Sequence, residues 1–375
     1  MIEIETTDDE RLLRETAVKF VEAECPLQTI RRLVDTGSGV PDGYFRQIGD
    51  LGWLGLLLPE GQEPGIAEGG IAYLAAVAEE RGRGVQPGPF VPSSAVIAAL
   101  CRAGSAQQRA EVLPALAAGE QVASWVATDT SGAFAPATAV TVHADADGDG
   151  GYRLSGRALV QDGASVDWLL VTAGGGQGLS QFLLPRSAAT GVAPRACHDV
   201  TLRFSTVTFD GVHVDATSLV GPAGGADDDV EHQLRLATVL VAAETVGAMD
   251  ALFEMARQYA LDRTAFGRPI GSFQAVKHQL ADMSLSLEAA RAVTANAVEV
   301  LDAGSPDAGE VASIAKAWTG DAGIELAQGC LQVFGGIGYT WEHDSHLYLR
   351  RITMNSLLYG SPDWHRERIC QVHGL

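Results

Sequence analysis

Two glycine-bearing stretches and one isolated acid carry the residue types that could hold or transform a ligand. The segment Arg263-Thr-Ala-Phe-Gly-Arg-Pro-Ile-Gly-Ser-Phe-Gln274 places an always-charged, fork-shaped donor beside backbone amides at Gly267 and Gly271 that carry no steric cover. That combination suits a pyrophosphate. The same letters also spell a helix C-terminus, a Gly-Arg-Pro turn and a new helix start, so taken alone they leave both readings open. The second stretch, Gln332-Val-Phe-Gly-Gly-Ile-Gly-Tyr339, has glycines at 335, 336 and 338. One glycine would stop a helix; three in four positions suit close backbone approach to a ligand. The stretch lacks the spacing of a dinucleotide fingerprint and follows a helical pattern, so no Rossmann turn is expected. The acid is Glu244, inside the apolar run Ala237-Thr-Val-Leu-Val-Ala-Ala-Glu-Thr-Val-Gly247. A carboxylate among such neighbours is either paired or tuned for chemistry.

Other clusters lead nowhere. Asp145-Ala-Asp-Gly-Asp149-Gly150 opens like a calcium loop, but the position that needs a bidentate Glu is Gly156 and the flanks read as strands, so an acidic hairpin turn is expected. His343, Asp344 and His346 lack a fourth ligand and read as a helix start. The five cysteines (25, 101, 197, 330, 370) are widely spaced, which argues against a disulfide framework or zinc site. A net charge of −21 leaves no basic stripe for nucleic acid or an anionic membrane. An anionic ligand would be met by local arginines: Arg263 with Arg268, or Arg350 with Arg351. The N-terminus is acidic where a signal peptide would be basic, and no apolar run approaches the ~20 residues of a membrane span, so a soluble cytoplasmic protein is expected.

The elements that must position these residues fall into three blocks. With 46% hydrophobic and 19% charged residues in 375, the chain can build two or three real cores. Residues 1–120 read as an α-helical domain, with helices from Asp8 to Glu24, from Asp42 toward Trp53, and from Gly70 to Arg81, punctuated at Pro59-Glu-Gly61 and Gln86-Pro-Gly-Pro89. Residues 121–222 turn to short Val, Thr, Leu and Phe runs (138–143, 152–154, 168–172, 202–209) between Gly/Asp turns, which predicts an antiparallel barrel or sandwich. Residues 223–375 return to helical periodicity over 231–263, 273–303, 306–334 and 346–359, a four-helix bundle.

The two glycine-bearing stretches, in this order on long apolar helices, resemble the flavin-binding C-terminal domain of the acyl-CoA dehydrogenase family, and the α, β, α-bundle order resembles that family across almost the whole chain. The resemblance implies FAD as cofactor, an acyl-CoA substrate, and a dimer or tetramer of self or homologous subunits, with an electron-transfer flavoprotein as a further partner. In that family the first segment reaches the neighbouring subunit's flavin. Carried over, Arg263 and Phe266 contact the pyrophosphate, Gln274 reaches toward the adenosine part, and Gln332 with Gly335 and Gly336 sits beside the adenine end. Ala265 stands where the family often has a hydroxyl residue. Thr128, in Ser124-Trp-Val-Ala-Thr-Asp-Thr130, corresponds to the hydroxyl at the N5/O4 edge of the flavin ring. The family's next pattern, Pro-Gly-x-Gly-Ser, is degraded here to Ser131-Gly-Ala-Phe134. Its ring-covering Trp and hydroxyl residue are absent from Gly156–Gly163.

The catalytic glutamate of the family directly follows a tyrosine near the C-terminus; here Tyr359 is followed by Gly360-Ser361-Pro362. A second address used by some relatives corresponds to Ala237. Two carboxylates remain as candidates: Glu244, about two turns beyond Ala237 on the same helix face, and Asp363, which also reads as a helix cap before Trp364. Three functions follow: an active acyl-CoA dehydrogenase with a relocated base, a catalytically silent partner subunit that completes a neighbour's FAD site, or a flavin oxidase or monooxygenase on the same scaffold. Retention of Arg263, Gln274 and Gln332 beside a decayed ring segment favours the second over the third.

Overall fold

A computed structural model describes residues 7–58, 70–134 and 140–375. The expected break at 59–61 and the first two residues of the expected strand 138–143 lie outside them.

The N-terminal block is helical: α1 (Asp8–Glu24), α2 (Leu27–Thr36), α3 (Tyr44–Asp50), α4 (Gly70–Arg83), α5 (Phe90–Ala103), α6 (Ala106–Glu111) and α7 (Leu113–Ala117). Thr7, not an aspartate, caps α1 by accepting from the Glu10 amide at 3.1 Å, leaving Asp8 and Asp9 to complement the helix dipole in the first turn. α3 begins at Tyr44 behind Gly43, whose φ of 72° is glycine territory, and not at Asp42.

The middle block holds β1 (Ala123–Val126), β2 (Val142–Ala146), β3 (Tyr152–Gln161), β4 (Trp168–Gly175), β5 (Gly178–Pro185), β6 (Gly191–Arg195), β7 (Phe204–Val214) and β8 (Leu219–Val220). They form one sheet in the order β6-β7-β3-β2-β4-β5-β8, with β1 beside β4. The acidic turn after β2 is a hairpin, with Asp145 opposite Arg153 and Ala146 opposite Tyr152. The sheet is mixed, which corrects the antiparallel expectation. β1 lies parallel to β4 over Trp168–Val171, and β2 joins the same edge of β4 in parallel at Gly174. The β2–β3 hairpin stands between β1 and β4 in the chain, so those two meet by a crossover, and alternation along a strand does not encode the direction of its partner.

The C-terminal block consists of α8 (Asp227–Asp262), the ribbon β9 (Thr264–Ala265) and β10 (Arg268–Pro269), α9 (Gln274–Asp302), α10 (Ala308–Phe334), α11 (Ser345–Leu357) and α12 (Pro362–Val372). α12 is a fifth helix beyond the four expected; Ser361 caps it through the Trp364 amide and Pro362 starts it. By length and composition α8 would pass for a membrane span, contrary to the sequence reading. However, 83% of its most apolar stretch is buried inside the protein, so it is the central helix of the molecule.

Two features lock the blocks together. α4 and α8 pack backbone to backbone: a Cβ at Gly82 would overlap the Glu244 carbonyl, and one at Gly247 the Glu79 carbonyl. Arg351 of α11, 1% exposed, donates to Asp199 Oδ2 at 2.7 Å in the β6–β7 loop and to Gln86 O at 3.0 Å after α4. A single guanidinium thus bridges all three blocks, its charge matched by a carboxylate that is itself fully buried.

Candidate functional site

The antiparallel course of α9 and α10 brings both glycine-bearing stretches to one end of the bundle. Gln279 Nε2 on the second turn of α9 donates to Gly329 O on the penultimate turn of α10 at 3.1 Å. Tyr259, near the end of α8, meets Phe334, the last residue of α10, ring edge to ring at 5.5 Å. Arg263, Gln274 and Gly335, which follow or begin those helices, therefore share that end.

At this end the side-chain donors of Arg263, Gln274 and Gln332 have no partner among the described residues. Arg263 is exposed, and its guanidinium has no hydrogen-bond partner among the described residues. The β9–β10 ribbon turns through Phe266 and Gly267 with φ of 53° and 79°, the two consecutive left-handed residues of a tight hairpin. Phe266 is 95% exposed and stands edge to face with Phe273, over which Arg268 lies at 4.1 Å. Gln274 is the exposed first residue of α9, whose N-cap Phe273 supplies no side-chain acceptor. The first-turn amides of that long helix therefore have no side-chain cap among the described residues and lie beside the Arg263 segment, an arrangement that favours anions. At the end of α10, Gly335 takes φ 64° and ψ −141°, backbone geometry that only glycine adopts readily. A Cβ at Gly335 or Gly336 would meet nothing within 4 Å, so the loop faces open space; Gln332 beside it is exposed.

Thr128, Glu244 and Asp363 lie elsewhere. Thr128 follows β1, and its hydroxyl donates to Leu159 O at 2.6 Å, so its proton is spent within the sheet. Gln161, in the segment where the resemblance implies a ring-covering residue, is tied through Nε2 to Gly88 O at 3.1 Å. Asp363 is exposed on α12 and pairs with Arg366 at 2.8 Å, facing solvent. Glu244 is buried in α8. Burial pushes its carboxyl up, an effect partly offset by Arg351 and Arg81, and Asn355 lies beside it. Its charge reaches Tyr359, whose phenol burial and the Glu244 carboxylate both push up.

The Tyr359–Gly360 turn, the family's address for the base, is closed. Tyr359 has φ 58° and Gly360 φ 108°. Tyr359 stacks on Trp125 at 6.2 Å, and Phe134, 3% exposed, fills the angle between Trp125, Tyr359 and Trp364. A Cβ on Gly360 would lie 2.9 Å from Trp364 Cζ3, and nearer still to Cε3, so not even a methyl fits. Ala237, the second address, is fully buried.

Three residues of this region were assigned no role from the sequence: Phe134, Lys316 and His365. Lys316 had a usable signal, since it is a lone cation in the run Ala312-Ser-Ile-Ala-Lys-Ala317, the same anomaly that singled out Glu244. A cavity of about 520 Å³ opens between Leu56–Leu58, Ala98, Cys101, His232 and Leu236, and none of the expected site residues line it. Among the described residues no group of His, Cys, Asp and Glu could hold a metal ion.

Models of the acyl-CoA dehydrogenase N-terminal domain and of its C-terminal domain match residues 7–120 and 228–373. The chain is 28% identical over 358 residues to the acyl-CoA dehydrogenase IpdE2 of Mycolicibacterium smegmatis, covering 95% of this chain and 96% of that protein. Its fold superposes on glutaryl-coenzyme A dehydrogenase in a glutaryl-CoA complex with a TM-score of 0.90 at 22% identity, covering 99% and 97% of the two chains. The ChsE4-ChsE5 complex from Mycobacterium tuberculosis gives a TM-score of 0.87 at 25% identity, with 99% and 98% covered. With both terminal domains matched, and helical domains flanking a middle sheet as in these structures, the chain belongs to the acyl-CoA dehydrogenase family.

Proposed function

We propose that this chain is one subunit of an FAD-dependent acyl-CoA dehydrogenase assembly, in which its C-terminal bundle completes the dinucleotide site of a neighbouring subunit that carries the base. The observation behind this reading is an asymmetry. The end that would reach a neighbour is exposed and its donors are free, whereas the end that would serve the chain's own flavin ring is filled by Phe134 and has no room for a carboxylate at Gly360.

FAD, when bound, supplies the acceptor for the hydride lost from the acyl thioester. The residues at the open end fit its phosphate half. Arg263 and the first-turn amides of α9 would hold the pyrophosphate, Phe266 would cover it, and Gln274, Gln332, Gly335 and Gly336 would approach the adenosine side. The ring half fits poorly, because the Thr128 proton is committed to Leu159 O. A solved relative that is a complex of two components, ChsE4 and ChsE5, supports a heteromeric assembly.

The test is an absorbance spectrum of the chain purified alone, titrated with FAD, and then co-expressed with a glutamate-bearing relative. Little flavin alone and a yellow complex bleached by an acyl-CoA are expected. One FAD per chain, bleached by an acyl-CoA without a second component, would overturn the partner-subunit reading.

One observation favours a second reading, an active dehydrogenase with Glu244 as base: that carboxyl is buried, acts through its charge on the Tyr359 phenol, and is held above its usual range. A base must reach the α-carbon at a pKa tuned by its surroundings. Under this reading Glu244→Gln abolishes turnover and spares flavin binding.

A further inference from the structure

The turn that closes the base position is itself held from behind. Lys316 on α10 is 1% exposed and forms no ion pair among the described residues. Its Nζ donates to Ser356 O at 2.7 Å and to Gly360 O at 2.9 Å. His365 on α12, also 1% exposed, places Nε2 3.0 Å from Tyr359 O and Nδ1 3.1 Å from Ser313 Oγ. A carbonyl oxygen only accepts, so the neutral ring carries its proton on Nε2, and Nδ1 is left facing the Ser313 hydroxyl, which itself donates to Gly309 O at 2.9 Å. Two successive carbonyls, Tyr359 O and Gly360 O, thus each receive one buried donor, from two different helices.

We propose that Lys316 and His365 are positioning residues, a two-point clamp that fixes the Tyr359–Gly360 turn and with it the Tyr359 ring against Trp125. The backbone needs such a clamp. Tyr359 is a non-glycine residue in the left-handed region and Gly360 has φ 108°, a pair of conformations that persists only when the surroundings over-determine it. The last carbonyls of α11 also lack intrahelical partners and must be satisfied from elsewhere.

The protonation states agree with the geometry. Burial pushes the Lys316 amine down to about 7, against the opposing pull of Asp321 on its own helix. A neutral amine retains two N–H donors, matching the two carbonyls it meets. Burial, then the Lys316 and Arg368 charges, push His365 down to about 3, so it stays neutral with a single N–H. The aromatic consequence is direct: Tyr359 stacks on Trp125 at an interplanar angle of 19°, and the Tyr359 phenol lies within reach of the Glu244 charge. The clamp does not rest on the function proposed above.

The experiment compares Lys316→Met, which removes both donors, with Lys316→Gln, whose amide keeps two N–H groups without the charge. The readouts are near-ultraviolet circular dichroism of the full chain, which reports the stacked aromatic rings, and far-ultraviolet dichroism, which reports the helices. K316M should lose the near-ultraviolet band while keeping the helical one, and K316Q should restore it. The clamp is overturned if K316M keeps the band, or if K316Q loses it to the same extent as K316M. Should K316M not fold, His365→Phe, which removes one donor and leaves the lysine, is read in the same way: retention of the aromatic band overturns the proposal. None of these readings needs flavin, so failure of the clamp is separable from failure of the proposed function.

Discussion

Gly360 and Trp364 are in contact so close that the glycine cannot be replaced: a Cβ would stand 2.9 Å from the indole Cζ3 and closer to Cε3. The indole is fixed in turn by Arg368, whose guanidinium lies 4.8 Å from its centroid, and by the Phe134 ring at 6.4 Å. The position expected to hold a base is therefore shut.

Installing the missing carboxylate should then fail. Gly360→Glu combines a positive φ with overpacking, each costing about 1–3 kcal/mol. The expected outcome is a lower urea midpoint and no gain in acyl-CoA-dependent dye reduction. A variant that is both stable and active would refute the closed turn.

Arg263→Ala should weaken FAD binding in the assembled complex. Loss of a charge-assisted phosphate contact is worth about 1.5–3 kcal/mol, or roughly a 10- to 100-fold rise in Kd. Flavin fluorescence titration measures this, and an unchanged Kd removes Arg263 from the site.

Removing Arg351 should be far more damaging than removing an exposed arginine. Arg351→Met leaves Asp199, fully buried, without its partner. The expected loss is about 3–5 kcal/mol, whereas Arg366→Ala, at an exposed pair, should cost about 0–1 kcal/mol. Chemical denaturation of both variants tests the ranking.

Acid should weaken the fold through His365. The ring is neutral in the folded protein down to about 3 but takes a proton near 6.5 when unfolded. Its contribution is complete above that higher value and is lost progressively as pH falls toward the lower one. Lys316 acts in the same direction higher up. Its folded value of about 7 against an unfolded 10.5 means that its contribution falls as pH drops through that interval. Unfolding free energy measured from pH 4 upward should therefore rise more steeply in the native chain than in His365→Phe, and parallel curves would count against a buried neutral ring.

Much of the architecture was legible in the residues. The 3.6-residue period of 231–263 and 306–334 named α8 and α10 to within a few positions, because a helix face is written locally. The Gly-Asp punctuation marked out the sheet, and the glycines at 267 and 335 announced backbone that other residues avoid: their φ values are 79° and 64°. Composition and spacing thus fixed the α, β, α order, and the two glycine-bearing stretches carried the family.

What the chain could not state in one dimension is who meets whom. The parallel pairing of β1 with β4, the gathering of Arg263, Gln274 and Gly335 at one end of the bundle, and the burial of Lys316 against Ser356 O and Gly360 O all join residues far apart in sequence. The emptiness of the base position was visible as Gly360. That it is also closed depends on Trp364, Phe134 and Tyr359 converging from α12, the β1–β2 connection and the end of α11. Periodicity records which side of an element turns inward, while the identity of the atoms opposite is set only when the elements pack.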